Sequence, residues 1–302
     1  MYRVGIDLGG TKIEGILLGP NGDLLEKTRV PTSAECGYNH IISSISDIYR
    51  RMIDCIAGAP CVLGVSTPGR PDPHSHLLQY SNISIMNGKP FALDLAAQTG
   101  SIPTIENDAN CFALAEARFG AGKGHRVVVG IVIGTGCGGG IVYDGRLHAG
   151  LQHNAGEWGH VPLVPDGPQC QCGKSGCVEQ YVSGSAISNH YAQLFGERLS
   201  AEAIAVLART GDAKALHVME WFLVNFGKAV AVMLTLLDPD VVVVGGGLSN
   251  IPEIYSSGRY WVRKNMIRQV LVTPIVRNQL GDAAGAFGAA MIAGTKGRAI
   301  EL

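Results

Sequence analysis

Neither sign of charge predominates in this 302-residue chain: 24 Lys and Arg stand against 25 Asp and Glu, a formal net charge of −1. Without a basic or acidic excess there is no sequence-independent pull toward a phosphate backbone or an anionic bilayer, so neither nucleic acid nor membrane is expected as a partner. Charge is also sparse, at 16% of residues against 46% hydrophobic, which excludes disorder and leaves ample apolar surface for sizeable cores. No long hydrophobic run is present. The longest, Trp221–Leu237, is broken by Asn225 and Lys228, too short and too polar to span a bilayer, and reads as a buried helix. The opening MYRVGIDLGG lacks the basic stretch and apolar core of a signal peptide. The eight cysteines are therefore expected to be reduced thiols of a cytoplasmic protein rather than four disulfides. A Ser/Pro-rich linker is missing too.

What the chain has in excess is glycine, 41 residues, roughly twice ordinary usage. It clusters at 5–22, 120–150, 245–247 and 281–288, as expected of tight turns or of backbone that must lie close to something. The length predicts about two domains. Tyr2–Asp7, Lys12–Leu18 and Leu24–Val30 read as strands, with Gly9-Gly10 and Asn21-Gly22 as turns, and Asn-Gly is a strong hairpin signal. A helix over about 38–57 carries Ile41, Ile42, Ile45, Ile48, Tyr49 and Met52 at helical spacing. Cys61–Ser66 and Pro103–Ile105 read as strands, Phe91–Thr99 and Ala109–Phe119 as helices.

The same grammar restarts at Val127–Ile133, Gly134-Thr135-Gly136, Cys137–Tyr143 and Asp144-Gly145. This is an internal duplication of two α/β halves, each opening on an antiparallel ribbon. Further helices are predicted at 184–195, 199–209, 213–236, Pro252–Ile267 and Asp282–Ala293, and strands at Val241–Val244 and Val270–Val276. Gly120, Gly122 and Gly124 mark the expected hinge, dividing a smaller domain, 1–118 joined by a C-terminal helix within 282–302, from a larger one, 119–281.

Three glycine turns follow apolar runs: Gly9-Gly10-Thr11, Gly134-Thr135-Gly136 and Gly245-Gly246-Gly247. Backbone N–H groups in such turns can converge on an anion, although most glycine turns only reverse the chain. Two matching turns in duplicated halves suit a polyphosphate. Gly134, Gly136 and Gly139 satisfy G-x-G-x-x-G, but a strand and hairpin follow where the dinucleotide fingerprint needs a helix. Gly173-Lys174-Ser175 resembles the end of a P-loop, yet Pro168 stands where its first glycine belongs.

Glu106-Asn107-Asp108-Ala109-Asn110 lies between a short strand and a helix. Its Asp and Asn are either helix caps or, at a strand end facing an interdomain cleft, a base and an anchoring hydrogen-bonder. The densest cluster is 155–179, A-G-E-W-G-H followed by C-Q-C-G-K-S-G-C-V-E. His160, Cys170, Cys172 and Cys177 supply one imidazole and three thiols. They suit a closed structural Zn²⁺ site, with buried free thiols as the alternative because C-x-C-x4-C is not the usual knuckle spacing. Glu157 and Glu179 flank the cluster as acceptors for substrate hydroxyls. Cys36, Cys55, Cys61, Cys111 and Cys137 show no metal spacing.

Taken together these motifs resemble the ROK family (repressors, open reading frames and sugar kinases) over essentially the whole chain. D-L-G-G-T-K at 7–12 is similar to its first phosphate motif, E-N-D-A-N to its catalytic motif, and G-T-G-C-G-G-G at 134–140 to its second phosphate loop. A-G-E-W-G-H and C-x-C-G-x-x-G-C-x-E are similar to its sugar and zinc motifs, and G-G-G at 245–247 to its adenosine turn. The resemblance implies the two-domain actin-like/hexokinase ATPase fold, α/β, with duplicated β-ribbons, mixed sheets and a cleft between domains. It also implies phosphorylation of a hexose hydroxyl, O6, by ATP with Mg²⁺.

On that resemblance Asp108 is the general base, and Asn107, Glu157, His160 and Glu179 hold sugar hydroxyls. His160, Cys170, Cys172 and Cys177 bind zinc. Asp7 lies near Mg²⁺ through water, and Gly9, Gly10, Thr11, Lys12, Gly134, Thr135, Gly136, Cys137, Gly138, Gly245, Gly246 and Gly247 take the nucleotide. Some members are repressors with an added helix-turn-helix; the first strand begins at residue 2, so a kinase is expected, with a non-catalytic sugar-sensing regulator as the other class. Gly156–His160 and Asn87–Phe91 favour fructose or mannose as substrate over N-acetylglucosamine or glucose. Ser84-Ile85-Met86 departs from the family, which often has an aromatic residue there. A homodimer is the family-level expectation.

Overall fold

The computed structural model describes residues 1–72 and 74–294. The chain separates into two compact units, one formed by Met1–Ala115 with the described part of Leu280–Leu302, the other by Glu116–Gln279. The division falls inside the helix Asp108–Phe119, between Ala115 and Glu116.

In the first unit β1 (Tyr2–Leu8), β2 (Lys12–Leu18) and β3 (Leu24–Pro31) form the antiparallel ribbon that the alternation and the Asn21-Gly22 turn predict. β4 (Cys61–Thr67) then pairs parallel with β1. A small ribbon, β5 (Arg70–Pro71) with β6 (Leu78–Gln79), precedes β7 (Thr104–Asn107), which pairs parallel with β4. Sheet order is β3-β2-β1-β4-β7. The helices of this unit are α1 (Tyr38–Asp54), α2 (Phe91–Thr99) and the first turns of α3 (Asp108–Phe119). Ile41, Ile45 and Met52 of α1 are fully buried with Val4, Ile6 and Leu8 of the sheet, as the helical spacing of the isoleucines requires.

The second unit repeats the plan: β8 (Val127–Ile133), β9 (Cys137–Tyr143), β10 (Arg146–Leu147), β11 (Val241–Gly245) and β12 (Ile275–Arg277), in the order β10-β9-β8-β11-β12. Two antiparallel pairings followed by two parallel ones in both sheets make the duplication a structural fact. Here the helices are α4 (Gly184–Phe195), α5 (Ala201–Arg209), α6 (Ala213–Leu237) and α7 (Ser257–Asn265). By length and composition α6 alone among the described helices could cross a membrane. Its Val218, Phe222, Phe226 and Val230 are fully buried in the core of this unit, so the apolar stripe is spent on packing.

The last described element, α8 (Ala284–Ile292), belongs to the first unit and packs on β1 and β4. The 295–302 part of the helix expected within 282–302 lies outside the described residues. The approach is close enough to explain the glycines. A Cβ at Gly64 would overlap the carbonyl oxygen of Ala289, and one at Gly5 that of Ala286. Backbone atoms have no rotamer by which to yield. Gly64→Ala is therefore expected to destabilise the protein by about 3 kcal/mol, read as a lowered urea midpoint with unchanged slope.

Two sequence expectations change. Val270–Val276 is not one strand: Pro274 cannot donate to a ladder, so β12 begins after it and Val272 is 85% exposed. Pro252–Ile267 splits at Ser256 into a 3₁₀ turn and α7, the turn tied back by the Tyr255 hydroxyl donating to the Ser249 carbonyl at 2.8 Å. At the expected hinge, a Cβ at Gly120 would overlap the Glu116 carboxylate. That carboxylate is fully buried and accepts from the backbone amides of Ala121 and Gln279.

Candidate active site

In the first unit the parallel register brings the chemistry together. Asp7 pairs with Ser66, Ser66 with Glu106 and Thr67 with Asn107, so β1, β4 and β7 end side by side. The carboxyl ends of parallel strands are where α/β sheets bind ligands. The Ser66 hydroxyl donates to Asp7 Oδ1 at 2.6 Å, and Gly285 of α8 abuts the same carboxylate so closely that a Cβ there would overlap it. Burial pushes the Asp7 carboxyl up to about 6. The hydrogen bond from Ser66 opposes that rise, while the charges of Asp108 and Glu14 add to it and Lys12 relieves it. Ionising this half-buried carboxylate is costly, and a neighbouring positive charge would offset that cost.

Asp108 opens α3, exposed to solvent. Of the alternatives read from the sequence, the capping one is seen directly. Asn107 Oδ1 and Asp108 Oδ1 each accept from the Ala109 amide, at 2.9 and 2.8 Å, which is helix capping. Glu106, unnoticed in the sequence, accepts from the Asn107 amide at 2.8 Å and from Asn110 Nδ2 at 3.0 Å. The caps fix the backbone from which the Asp108 carboxylate projects.

The two glycine turns are hairpin tips of one kind. In the first, Gly9 N donates to Lys12 O, and Thr32 ties down the Thr11 and Gly9 carbonyls. In the second, Gly134 N donates to Gly136 O. The amides of Gly10 and Thr11, and of Thr135 and Gly136, find no acceptor among the described residues. Gly10 and Gly134 have neither positive φ nor any atom within 4 Å of an added Cβ. Nothing inside the protein demands glycine there, and two consecutive unsatisfied amides beside open space suit a phosphate oxygen. Lys12 is held by Asp282 at 2.6 Å, a partner the sequence did not reveal.

The other predicted nucleotide residues are partly committed within the second unit. The Cys137 amide donates to Glu179 Oε2 at 2.9 Å, and the Gly138 carbonyl accepts from Trp158 Nε1 at 2.7 Å. Burial, and then the Glu179 carboxylate, push the Cys137 thiol well up. At the end of β11, Gly245 pairs with Val132; Gly246 takes φ 80° against Ile133, and Gly247 faces Glu202 at the start of α5.

Trp158 clamps the segment that carries Glu157 and His160 onto β9: its ring is buried and Gly139 leaves room for it. His160 Nδ1 lies 3.7 Å from Cys170 Sγ, and Cys172 Sγ lies 3.6 Å from Cys177 Sγ. All four ligand atoms fall within 4.8 Å of one another. Metal–thiolate bonds of about 2.3 Å and tetrahedral angles imply edges of about 3.5–3.8 Å, so the donor set fits a closed tetrahedral ion. The unusual spacing is explained by a tight turn. Cys170 N donates to Lys174 O, while Gly173 adopts φ 88° and lets Cys170 and Cys172 reach the same point as Cys177. Burial, then the two neighbouring thiols, push the Cys177 thiol up to about 12. Because Nδ1 faces the cysteines, Nε2 of His160 is left for another partner.

The family model of the ROK family matches residues 3–296. The chain belongs to the ROK family. It is 37% identical over 301 residues to a protein described as N-acetyl-D-glucosamine kinase from Photobacterium profundum, covering 95% of this chain and 98% of that one. Among solved structures, a ROK hexokinase from Thermus thermophilus superposes with a TM-score of 0.87 at 33% identity, covering 97% of this chain and 98% of that one. A ROK family glucokinase from Streptomyces griseus, in complex with glucose and AMPPNP, gives 0.78 at 30% identity, with 97% and 99% covered. The fold of this ROK protein is thus the actin-like/hexokinase ATPase fold that its motifs implied.

The kinase that this chain resembles is named for N-acetyl-D-glucosamine, the alternative read from the sequence, and not for fructose or mannose. Asn87 Oδ1 accepts from the Ser81 amide and Asn87 Nδ2 donates to the Ser81 carbonyl, Gly88 turns at φ 75°, and Phe91 is fully buried. These contacts give Asn87, Gly88 and Phe91 a structural role in their segment.

Proposed function

We propose that the acceptor of this ATP-dependent sugar kinase is N-acetyl-D-glucosamine, phosphorylated at its 6-hydroxyl. The single observation that carries the sugar is the full-length kinship to a kinase named for it. Asp108 takes the proton of the attacking hydroxyl, and Asn107, Glu157, His160 Nε2 and Glu179 hold the other hydroxyls. The unsatisfied amides of Gly10, Thr11, Thr135 and Gly136 hold the polyphosphate, and Lys12 adds charge. Gly245–Gly247 take the nucleoside end.

Phosphoryl transfer asks for positioning and charge neutralisation more than for covalent chemistry, and these residues supply that. Mg²⁺, when bound, neutralises the phosphate oxygens; Asp7, half-buried and fixed by Ser66, would hold it through water. Zn²⁺, when bound, makes the segments on either side of it rigid; His160, Cys170, Cys172 and Cys177 would hold it.

ADP release measured over N-acetylglucosamine, N-acetylmannosamine, glucose, mannose and fructose tests this. The expected result is a kcat/KM for N-acetylglucosamine at least tenfold above that for mannose or fructose, since a site that hydrogen-bonds an amide discriminates strongly against sugars lacking it. A maximum at fructose or mannose overturns the acceptor. Sugar binding without ADP release from any of the five makes the protein a sensor rather than a kinase.

A further inference from the structure

The second phosphate loop is not shaped by its own hairpin alone. Three hydrogen bonds reach it from residues 179–185: Glu179 Oε2 accepts from the Cys137 amide at 2.9 Å, Gly184 N donates to Gly134 O at 2.7 Å, and Ser185 N donates to Thr135 O at 3.3 Å. They occupy both outward carbonyls of the loop and the amide at its far end. The Thr135 and Gly136 amides are left without an acceptor among the described residues. The contact with Glu179 is tight: a Cβ on Gly136 would come within 2.6 Å of its Oε2.

Glu179 in turn sits on the 3₁₀ turn Val178–Gln180, directly after Cys177. That turn is anchored by Val178 N donating to Val161 O at 2.9 Å, next to His160, and by Ser183 Oγ donating to Glu179 O at 2.8 Å. Cys177 Sγ also contacts the His160 carbonyl at 3.6 Å. A continuous run of contacts therefore joins the Cys/His cluster to the loop.

We propose that Glu179 is a positioning residue for the nucleotide: through its carboxylate the Cys/His cluster sets the phosphate loop, so the cluster governs nucleotide binding even when no sugar is present. This deepens the kinase reading and rests on it. A hydrogen bond to a charged acceptor contributes enough that its loss weakens whatever the loop binds by about tenfold. Removing the acceptor frees the Cys137 amide and unlocks the loop, while an isosteric amide keeps an oxygen in place.

The test is titration calorimetry of Mg²⁺–AMPPNP into sugar-free protein, with zinc content measured on the same samples and amide hydrogen exchange followed over residues 134–140. Glu179→Ala is expected to keep its zinc, bind AMPPNP about tenfold more weakly than wild type, and exchange the Cys137 amide faster. Glu179→Gln is expected to restore most of both, because its carbonyl oxygen still accepts from Cys137. Wild type stripped of zinc should show the same weakened binding and faster exchange as Glu179→Ala. A zinc-loaded Glu179→Ala that binds AMPPNP as wild type does, with unchanged exchange at Cys137, overturns the proposal. So does zinc removal that leaves both unchanged. Wild type that binds no AMPPNP at all instead overturns the kinase reading, so the two failures are distinguishable.

Discussion

Asp108→Asn is expected to lower kcat by about 10²–10⁴-fold, the contribution of a positioned general base to proton transfer, while the affinities for sugar and nucleotide change little. The geometry makes the substitution clean. Asn at this position keeps an oxygen able to accept from the Ala109 amide, as Asp108 Oδ1 does now at 2.8 Å, and Asn107 caps the same amide independently. Helix α3 therefore starts where it did, and only the capacity to take a proton is removed. Steady-state ADP release together with calorimetric binding separates the two effects. Retention of more than a tenth of wild-type turnover would show that the proton leaves by another route.

Asp7→Asn separates stability from function in the opposite sense. The folded carboxyl is raised from 3.8 to about 6, chiefly by burial, so the folded state binds this proton more tightly than the unfolded chain does. The stabilising contribution is complete below about pH 4, falls as the pH climbs between about 4 and 6, and is gone above. Above pH 6 the fold carries an ionised carboxylate at a cost of about 3 kcal/mol relative to the neutral acid. Asn, neutral at every pH and still able to accept from the Ser66 hydroxyl, escapes that cost. The variant free of nucleotide is expected to melt higher than wild type at pH 7.5 and about equally at pH 4. On the role proposed for Asp7 at Mg²⁺, its kcat/KM should fall by about 10²-fold or more. Mg²⁺–AMPPNP should raise the melting temperature of wild type more than that of the variant. A thermal-shift series across pH 4–8 reads all of this, and equal melting temperatures at pH 7.5 would mean that the charge is relieved within the protein.

Much of the architecture was legible in local sequence because the signals are short-range. Asn21-Gly22, the two glycine tips and the alternating strands each specify a hairpin by themselves, and the repeat of that grammar exposed the duplication. The Cys/His cluster was legible for the same reason: its four ligands lie within a short stretch of chain, and a tight turn brings them together. What could not be read were partners created by parallel register. Nothing in the sequence links Ser66 to Asp7, 59 residues away, or Lys12 to Asp282, 270 residues away; pairing of β1 with β4, and the return of the chain from Leu280, make those contacts. Glu106 was masked by the more conspicuous Asn107 and Asp108 beside it. Glu179 was assigned to the sugar on motif alone, and its bond to the Cys137 amide emerged only in three dimensions. Val270–Val276 misled because β-branched residues raise strand propensity without supplying a partner, and Pro274 forbids one.

The helix from Ala284 to Ile292 makes the first body discontinuous in sequence: residues 1–115 are completed by a segment that starts at Leu280, whereas 116–279 are continuous. Gly285 forms part of the wall against the Asp7 carboxylate, and Gly5 and Gly64 are the floor on which the helix rests. Without that helix the same carboxylate would stand in water, at ordinary acidity. Its unusual proton affinity thus belongs to a contact between two distant stretches of one chain, sealed by a short run of alanine and glycine.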